Sequence, residues 1–251
     1  QSTPEDLPFN FAPRTDWSAM GDTEHFVQFY EADGFLLNSL SGFIGTALTA
    51  GEGAIVIATK VHRDGLNELL GANGFDIATA SNSGHYVSLD AAETLEKFMV
   101  DGSPEPERFM QVIGGLVGQM SSGKPRIRAF GEMVALLWAE GNYTGAIRLE
   151  ELWNNLQKEH CFSLFCAYPM SSFVGEKFGN PLGSVCTSHS RVIPAESYLE
   201  LVDHDERLRA IIQLQQKAKS LKSEIIERER VEEELRARGA ADRDQQPGAA
   251  A

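Results

Sequence analysis

Carboxylates and imidazoles gather at the few places in this sequence where an apolar run gives way to a turn. HFVQFYEADGF puts Glu31 and Asp33 just beyond an aromatic stretch that opens on His25 and closes on Tyr30. RIRAFGE ends on Glu132, and His62 follows AIVIAT at a comparable point. Paired carboxylates can exchange a proton with a substrate or hold a cation. The same side chains at a helix start stabilise its free amides and the positive end of its dipole. Glu31 and Asp33 fit both roles, with capping of a helix that starts near Gly34 the preferred reading. Glu132 fits polar ligand recognition and helix capping equally.

Other chemistry lacks its parts. No G-x-x-x-x-G-K-[ST] segment and no G-x-G-x-x-G after a strand is present, and carboxylates in the FYEADGF turn would repel a phosphate. No G-x-S-x-G or spaced Cys/His pair marks a nucleophile. Cys161, Cys166 and Cys186 are an odd, sparse set, and the first two bound the apolar CFSLFCAY, where free thiols act as small buried hydrophobes. Without a Cys-x-x-Cys or His-x-x-x-His pair, zinc has little support. The residues therefore assign no catalytic group, no metal and no cofactor. Trp138 and Tyr168 fall at core spacing but lie near strand ends, where aromatics can line an apolar small-molecule pocket.

Elements of alternating type must hold these residues. Strands are expected at His25–Tyr30, 54–59, 85–90, 126–132 and 161–168. Helical spacing of apolar residues marks 34–50, 62–70, 104–120, 133–140 and 143–160, and Asp90 with Glu93 reads as a capping box before a further helix. AIVIAT is a continuous β-branched run, as in a strand buried on both faces. Alternation of this kind predicts an α/β fold, a doubly wound and mainly parallel sheet over about residues 23–200. Ligands of such sheets bind beyond the C-terminal strand ends. That rule selects Tyr30, Glu31 and Asp33; Thr59, Lys60 and His62; Asp90; Gly131 and Glu132; and Tyr168.

The ends of the chain differ from its middle. Residues 1–22 read as an irregular arm whose Phe9, Phe11 and Trp17 could dock on the core. Residues 201–238 read as a linker and a long helix without Gly or Pro after Glu206. A heptad seam runs Ile211, Leu214, Ala218, Leu221, Ile225, Arg228, Glu232, Leu235, as in a two-stranded coiled coil. Pairing through residues 206–235 would make a homodimer, firmest over Ile211–Ile225. Residues 239–251 read as a disordered tail.

Apolar residues make up 42% of the 251, enough for a sizeable core, and no apolar run approaches the ~18 residues of a membrane span. Net charge is −14, and residues 1–204 carry 26 acids against 12 bases. Phosphate backbones reward the opposite sign, which argues against direct nucleic-acid binding. The N-terminal segment lacks the features of a signal peptide. A soluble cytoplasmic protein is the expectation.

Several blocks in order, HFVQFYEADGFLLNSLSGFIGTALTAGEGAIVIAT, YVSLDAAETLEKFMVDG, RAFGEMVALLWAEGN, LEELWNNL and FSLFCAYP, resemble the MEDS family. These are sensory domains named for methanogens, methylotrophs and the dichloromethane repressor. The resemblance spans about residues 23–200. It implies a fold similar to RecA and the circadian-clock ATPases with the phosphate loop lost. It also implies a non-catalytic sensor of a small, apolar or weakly polar hydrocarbon derivative, coupled to a histidine kinase or transcription regulator. The blocks place His25, Tyr30, Glu31, Asp33, His62, Glu132, Trp138 and Tyr168 as ligand-site candidates. The C-terminal segment resembles a kinase-joining linker, so output would run through a partner or through a kinase of which this is a part. A degenerate NTPase or small hydrolase using Glu31 and Glu132, and a coiled-coil scaffold, are the competing readings.

Overall fold

A computed structural model of the chain describes residues 16–123, 126–173, 179–199 and 203–244. The chain divides into two units, residues 1–200 and 201–251.

The first unit is built on six parallel strands. They are β1 (His25–Tyr30), β2 (Gly53–Ala58), β3 (Tyr86–Asp90), β6 (Ile127–Gly131), β7 (Ser163–Pro169) and β8 (Arg191–Ile193), in the order β3-β2-β6-β7-β1-β8. A small hairpin, β4 (Met99–Val100) and β5 (Ser103–Pro104), stands apart. Its Asp101-Gly102 turn has φ of 47° and 78°, the two positive values a tight hairpin requires. The helices are α1 (Asp33–Thr49), α2 (Lys60–Ala72), α3 (Ile77–Asn82), α4 (Ala91–Glu96), α5 (Pro106–Phe109), α6 (Gly115–Ser121), α7 (Met133–Ala139), α8 (Tyr143–Glu159), α9 (Gly179–Ser188) and α10 (Glu196–Leu199). A π-helical turn, Met110–Gly114, joins α5 to α6.

Strand alternation sorts the core into two layers. Phe26, Tyr30, Val56, Phe130 and Phe165 face α1 and α2. Val27, Phe29, Ile57, Leu164, Cys166 and Tyr168 face the layer containing α4 to α9. Helices on both faces make the sheet doubly wound, as expected. In the first layer, Trp17 packs on Phe26, Phe43 and Phe165 with ring centroids 5.4–6.0 Å apart. The buried Arg128 anchors that end of the sheet, donating to Glu52 Oε2 (2.7 Å) and to the Trp17 carbonyl (2.8 Å). A buried charge is tolerable only with such partners. Phe9 and Phe11 lie outside the described residues.

The structure corrects several expectations. The helix expected from Pro104 starts at Pro106, capped by Glu105, because Ser103 and Pro104 are taken by the hairpin. Neither Glu31 nor Asp33 caps α1: the cap position is Ala32, without a side-chain bond, and Asp33 lies in the first turn. Cys161 is exposed, since β7 begins two residues later, while Cys166 is buried. β8 was missed because three residues, two of them exposed, show no strand pattern. Asp90 does cap α4, accepting from the amides of Ala92 and Glu93.

Among its described residues the second unit is one helix, α11 (His204–Asp244), six residues longer at its C-terminus than the expected end at Arg238. The intended seam residues Ile211, Leu214, Leu221 and Leu235 are 37–63% exposed in the single chain. Among the described residues, no helix is long and apolar enough to cross a membrane.

Candidate functional site

The eight residues picked out from the sequence separate onto the two faces of the sheet. On the α1/α2 side, the ends of β1, β2 and β6 bring together Tyr30, His62, Glu132 and Asp33. Glu132 follows β6 at the cap position of α7 without capping it by its side chain, and its carboxylate accepts from the Thr59 amide (2.8 Å) and meets His62 Nδ1 at 2.7 Å. His62 lies in the first turn of α2, because β2 ends at Ala58 and the helix begins at Lys60. Its Nε2 is 3.5 Å from the mostly exposed Asp33 carboxylate. The Tyr30 and His62 rings meet nearly at right angles, with centroids 6.3 Å apart.

Charge follows from this packing. Burial alone would lower His62, but the bond to Glu132 and the charges of Glu132 and Asp33 outweigh it and raise its pKa. Burial and the same two carboxylates push the Tyr30 phenol up. The rim can thus hold one imidazolium between two carboxylates beside a neutral phenol. Arg63 extends it, bonding Asp90 Oδ2 (2.8 Å) and the Ala58 carbonyl (3.2 Å).

Glu31 points elsewhere. Its Oε1 accepts from Ser197 Oγ (2.7 Å). The backbone amides of Glu31 and Ala32 donate to the two oxygens of Glu196, at 2.8 and 2.6 Å. The turn after β1 is where doubly wound phosphate binders hold an anion on free amides. Here the anion is a carboxylate from the chain itself, on α10.

The opposite face holds the second group. Tyr168 OH donates to Glu150 Oε1 (2.8 Å), and Glu150 Oε2 lies 3.3 Å from His25 Nε2 and 3.4 Å from His189 Nε2. Cys166 Sγ is 3.7 Å from the same oxygen and 3.3 Å from His25 Nε2. Glu150 is fully buried. Burial opposes its charge, yet the imidazoles of His189 and His25 and the Tyr168 hydroxyl together lower its pKa to about 2. Burial pushes His189 down and, with Glu150, pushes Cys166 and Tyr168 up. His25 and Tyr168 therefore belong to this group and not to the rim. Trp138 sits beside it, packed on Tyr168 and Phe173 with its Nε1 donating to the Ser172 carbonyl (3.1 Å).

Glu150, Cys166 and His189 were not foreseen. Glu150 had a signal: it shares the buried face of α8 with Ala146, Leu149 and Trp153, where a carboxylate needs partners. Cys166 stands in an apolar strand run that looks like simple core, and nothing local marks His189. A groove of ≈ 700 Å³ runs along the outer side of α1, by Asn38, Gly42, Thr46 and Phe75, and none of the eight residues lines it.

The architecture is that of a doubly wound α/β domain whose strand-exit rim is filled by its own charged side chains. Residues 24–182 match the MEDS domain, described as the methanogen/methylotroph, DcmR sensory domain, and the chain belongs to this family. No curated relative matches it. Among solved structures it is similar to a KaiC-like protein of the hyperthermophilic archaeon Pyrococcus horikoshii, at 13% identity and a TM-score of 0.47 over 69% of this chain and 72% of that one.

Proposed function

We propose that this sensory domain is a non-catalytic, cytoplasmic receptor for a small, apolar or weakly polar molecule, read out through α11. The observation that carries this reading is the Glu196 carboxylate on the Glu31 and Ala32 amides. It ties the segment leading into α11 to the turn beside Tyr30, Asp33 and His62. A ligand at the strand exits that shifts this turn loosens or tightens the Glu196 contact, and the chain beyond it feels the change. Such coupling need supply only ~1–3 kcal/mol. Pairing of α11 with a second copy, and handover to a histidine kinase or transcription regulator, complete the path. The seam residues Ile211, Leu214, Leu221 and Leu235 are open for such pairing.

The test is a thermal-shift screen of short alcohols, methylamines and halomethanes on the full chain. A ligand that raises the melting temperature, with the shift lost in Tyr30→Ala and Glu132→Ala, supports the reading. Absence of any shift across the screen sinks it. Titration calorimetry with Mg-ATP addresses the enzyme reading: affinity that Glu132→Ala abolishes would replace the sensor by a nucleotide-binding protein.

A further inference from the structure

His25, Glu150, Cys166 and His189 come from four separate elements and aim one ligand-type atom each at a common point. His25 opens β1, Glu150 lies on α8, Cys166 is central in β7, and His189 follows α9 on the way to β8. The four atoms lie within 4.8 Å of one another, and all four residues are buried.

Their spacing is that of a coordination shell. Zinc bound tetrahedrally at its usual bond lengths holds N and O ligands about 3.4 Å apart and keeps S about 3.6 Å from either. Four of the six separations follow this pattern, 3.3 and 3.4 Å for the two N···O pairs, 3.7 Å for S···O and 3.3 Å for His25 N···S, and the two from His189 to His25 and Cys166 are within 4.8 Å.

The outer bonds are equally specific. Asn154 gives its Nδ2 to the Ser188 carbonyl (3.0 Å), so its Oδ1 faces His25 and accepts from Nδ1–H (2.9 Å). His189 donates its Nδ1–H to the Val185 carbonyl (2.6 Å). With Nδ1 of each ring so engaged, the Nε2 of each is the nitrogen left to ligate a metal. Metal-bound histidines are fixed in this way, by an acceptor on the far nitrogen. Tyr168 occupies Glu150 Oε1 and leaves Oε2 for the centre. The enclosed His189 Nε2 has no hydrogen-bond partner.

Without a cation the Cys166 thiol can turn its proton to Glu150 Oε2 (3.7 Å), but two imidazole nitrogens still face that same oxygen in a dry interior. A thiolate and a carboxylate carry two negative charges, so a divalent ion makes the buried group neutral. We propose that these four residues form a tetrahedral site for a divalent d-block ion of the zinc type. Binding exchanges the Cys166 thiol proton for the metal, so about one proton is released per ion. The ion would fasten the stretch that carries His189, β8 and Glu196 to the centre of the sheet. The proposal stands whether or not the small-molecule reading holds.

The test uses the purified full chain after chelator treatment. Zn²⁺ titrated against a chromophoric chelator should bind at one equivalent. Co²⁺ should give a thiolate-to-metal charge-transfer band with the intense visible bands of a tetrahedral ion. Cys166→Ser should remove the thiolate band, while Cys161→Ser and Cys186→Ser keep it. His189→Gln should weaken Zn²⁺ binding at least ~10-fold, and Tyr168→Phe, which removes no ligand, by roughly 10-fold. X-ray absorption on the zinc-loaded wild-type chain, independent of any variant's folding, should show one sulfur at about 2.3 Å and three N/O ligands near 2.0–2.2 Å. A wild-type chain without one-equivalent binding, a thiolate band that survives Cys166→Ser, or a shell without sulfur overturns the site.

Discussion

His62 meets Glu132 at the rim of the sheet, whereas His25 and His189 meet Glu150 inside it. At the rim, water reaches Asp33 and the carboxylate of Glu132 also satisfies a backbone amide, so the imidazole is free to hold a proton. Inside, the desolvation cost is large, and both pKa values fall: Glu150 to about 2, held there against burial by the imidazoles and the Tyr168 hydroxyl, and His189 below its ordinary value through burial. Identical chemistry thus gives a proton-holding pair at one place and a group that resists protonation at the other. The difference comes from burial and from how many partners share one carboxylate.

The largest way to break this comparison is Glu150→Ala. It strands two imidazoles, a phenol and a thiol in the interior, and about 3–5 kcal/mol of stability should be lost in urea denaturation. Loss below about 1 kcal/mol would mean that the cluster is not dry.

His62→Gln should cost less, about 1–3 kcal/mol measured near pH 6, since one charge-assisted bond is removed while Glu132 keeps the Thr59 amide.

The two sites should also separate by pH. His62 is raised above its ordinary 6.5, so its stabilisation is complete below that value and is lost as pH rises through the raised pKa. His189 is lowered, so the unfolded chain takes up its proton first and acidification below 6.5 destabilises the fold. Glu150 stabilises above 4.5, and that share is lost as pH falls toward about 2. Denaturation midpoints from pH 8 to 5 should therefore fall more steeply on acidification in His62→Gln than in the wild type. They should fall less steeply in His189→Gln. Parallel profiles for both variants would erase the distinction.

The smallest effect belongs to Asp33→Asn. The contact is 3.5 Å to a largely exposed carboxylate, so stability should move by under about 1 kcal/mol. The pKa of His62, followed by NMR, should drop slightly, while that of His189 stays where it was.

Local pattern in the sequence was enough to find the rim. Strand runs ending at Tyr30 and Glu132, and a helix beginning beside His62, put these residues at neighbouring strand exits once the sheet is parallel. Pattern groups Glu31 with them, whereas its carboxylate meets Ser197 and its amide Glu196, 166 and 165 positions away. The strand-end rule selected Tyr168 because it lies near the end of the right strand, and the family blocks added His25. Their faces depend on register within the pleat, and one residue decides which side a side chain takes.

By itself, then, the sequence determined the alternation of strands and helices, the apolar faces that pack them, and the uninterrupted helix at the C-terminus. Periodicity of 2 or 3.6 residues is a local property, written in adjacent side chains. Only the tertiary structure decided that His25, Glu150, Cys166 and His189 share one point, and that Glu196 closes on the turn after β1. Those meetings depend on strand order and on which face each helix covers. They join residues up to 165 positions apart that carry no mark of one another.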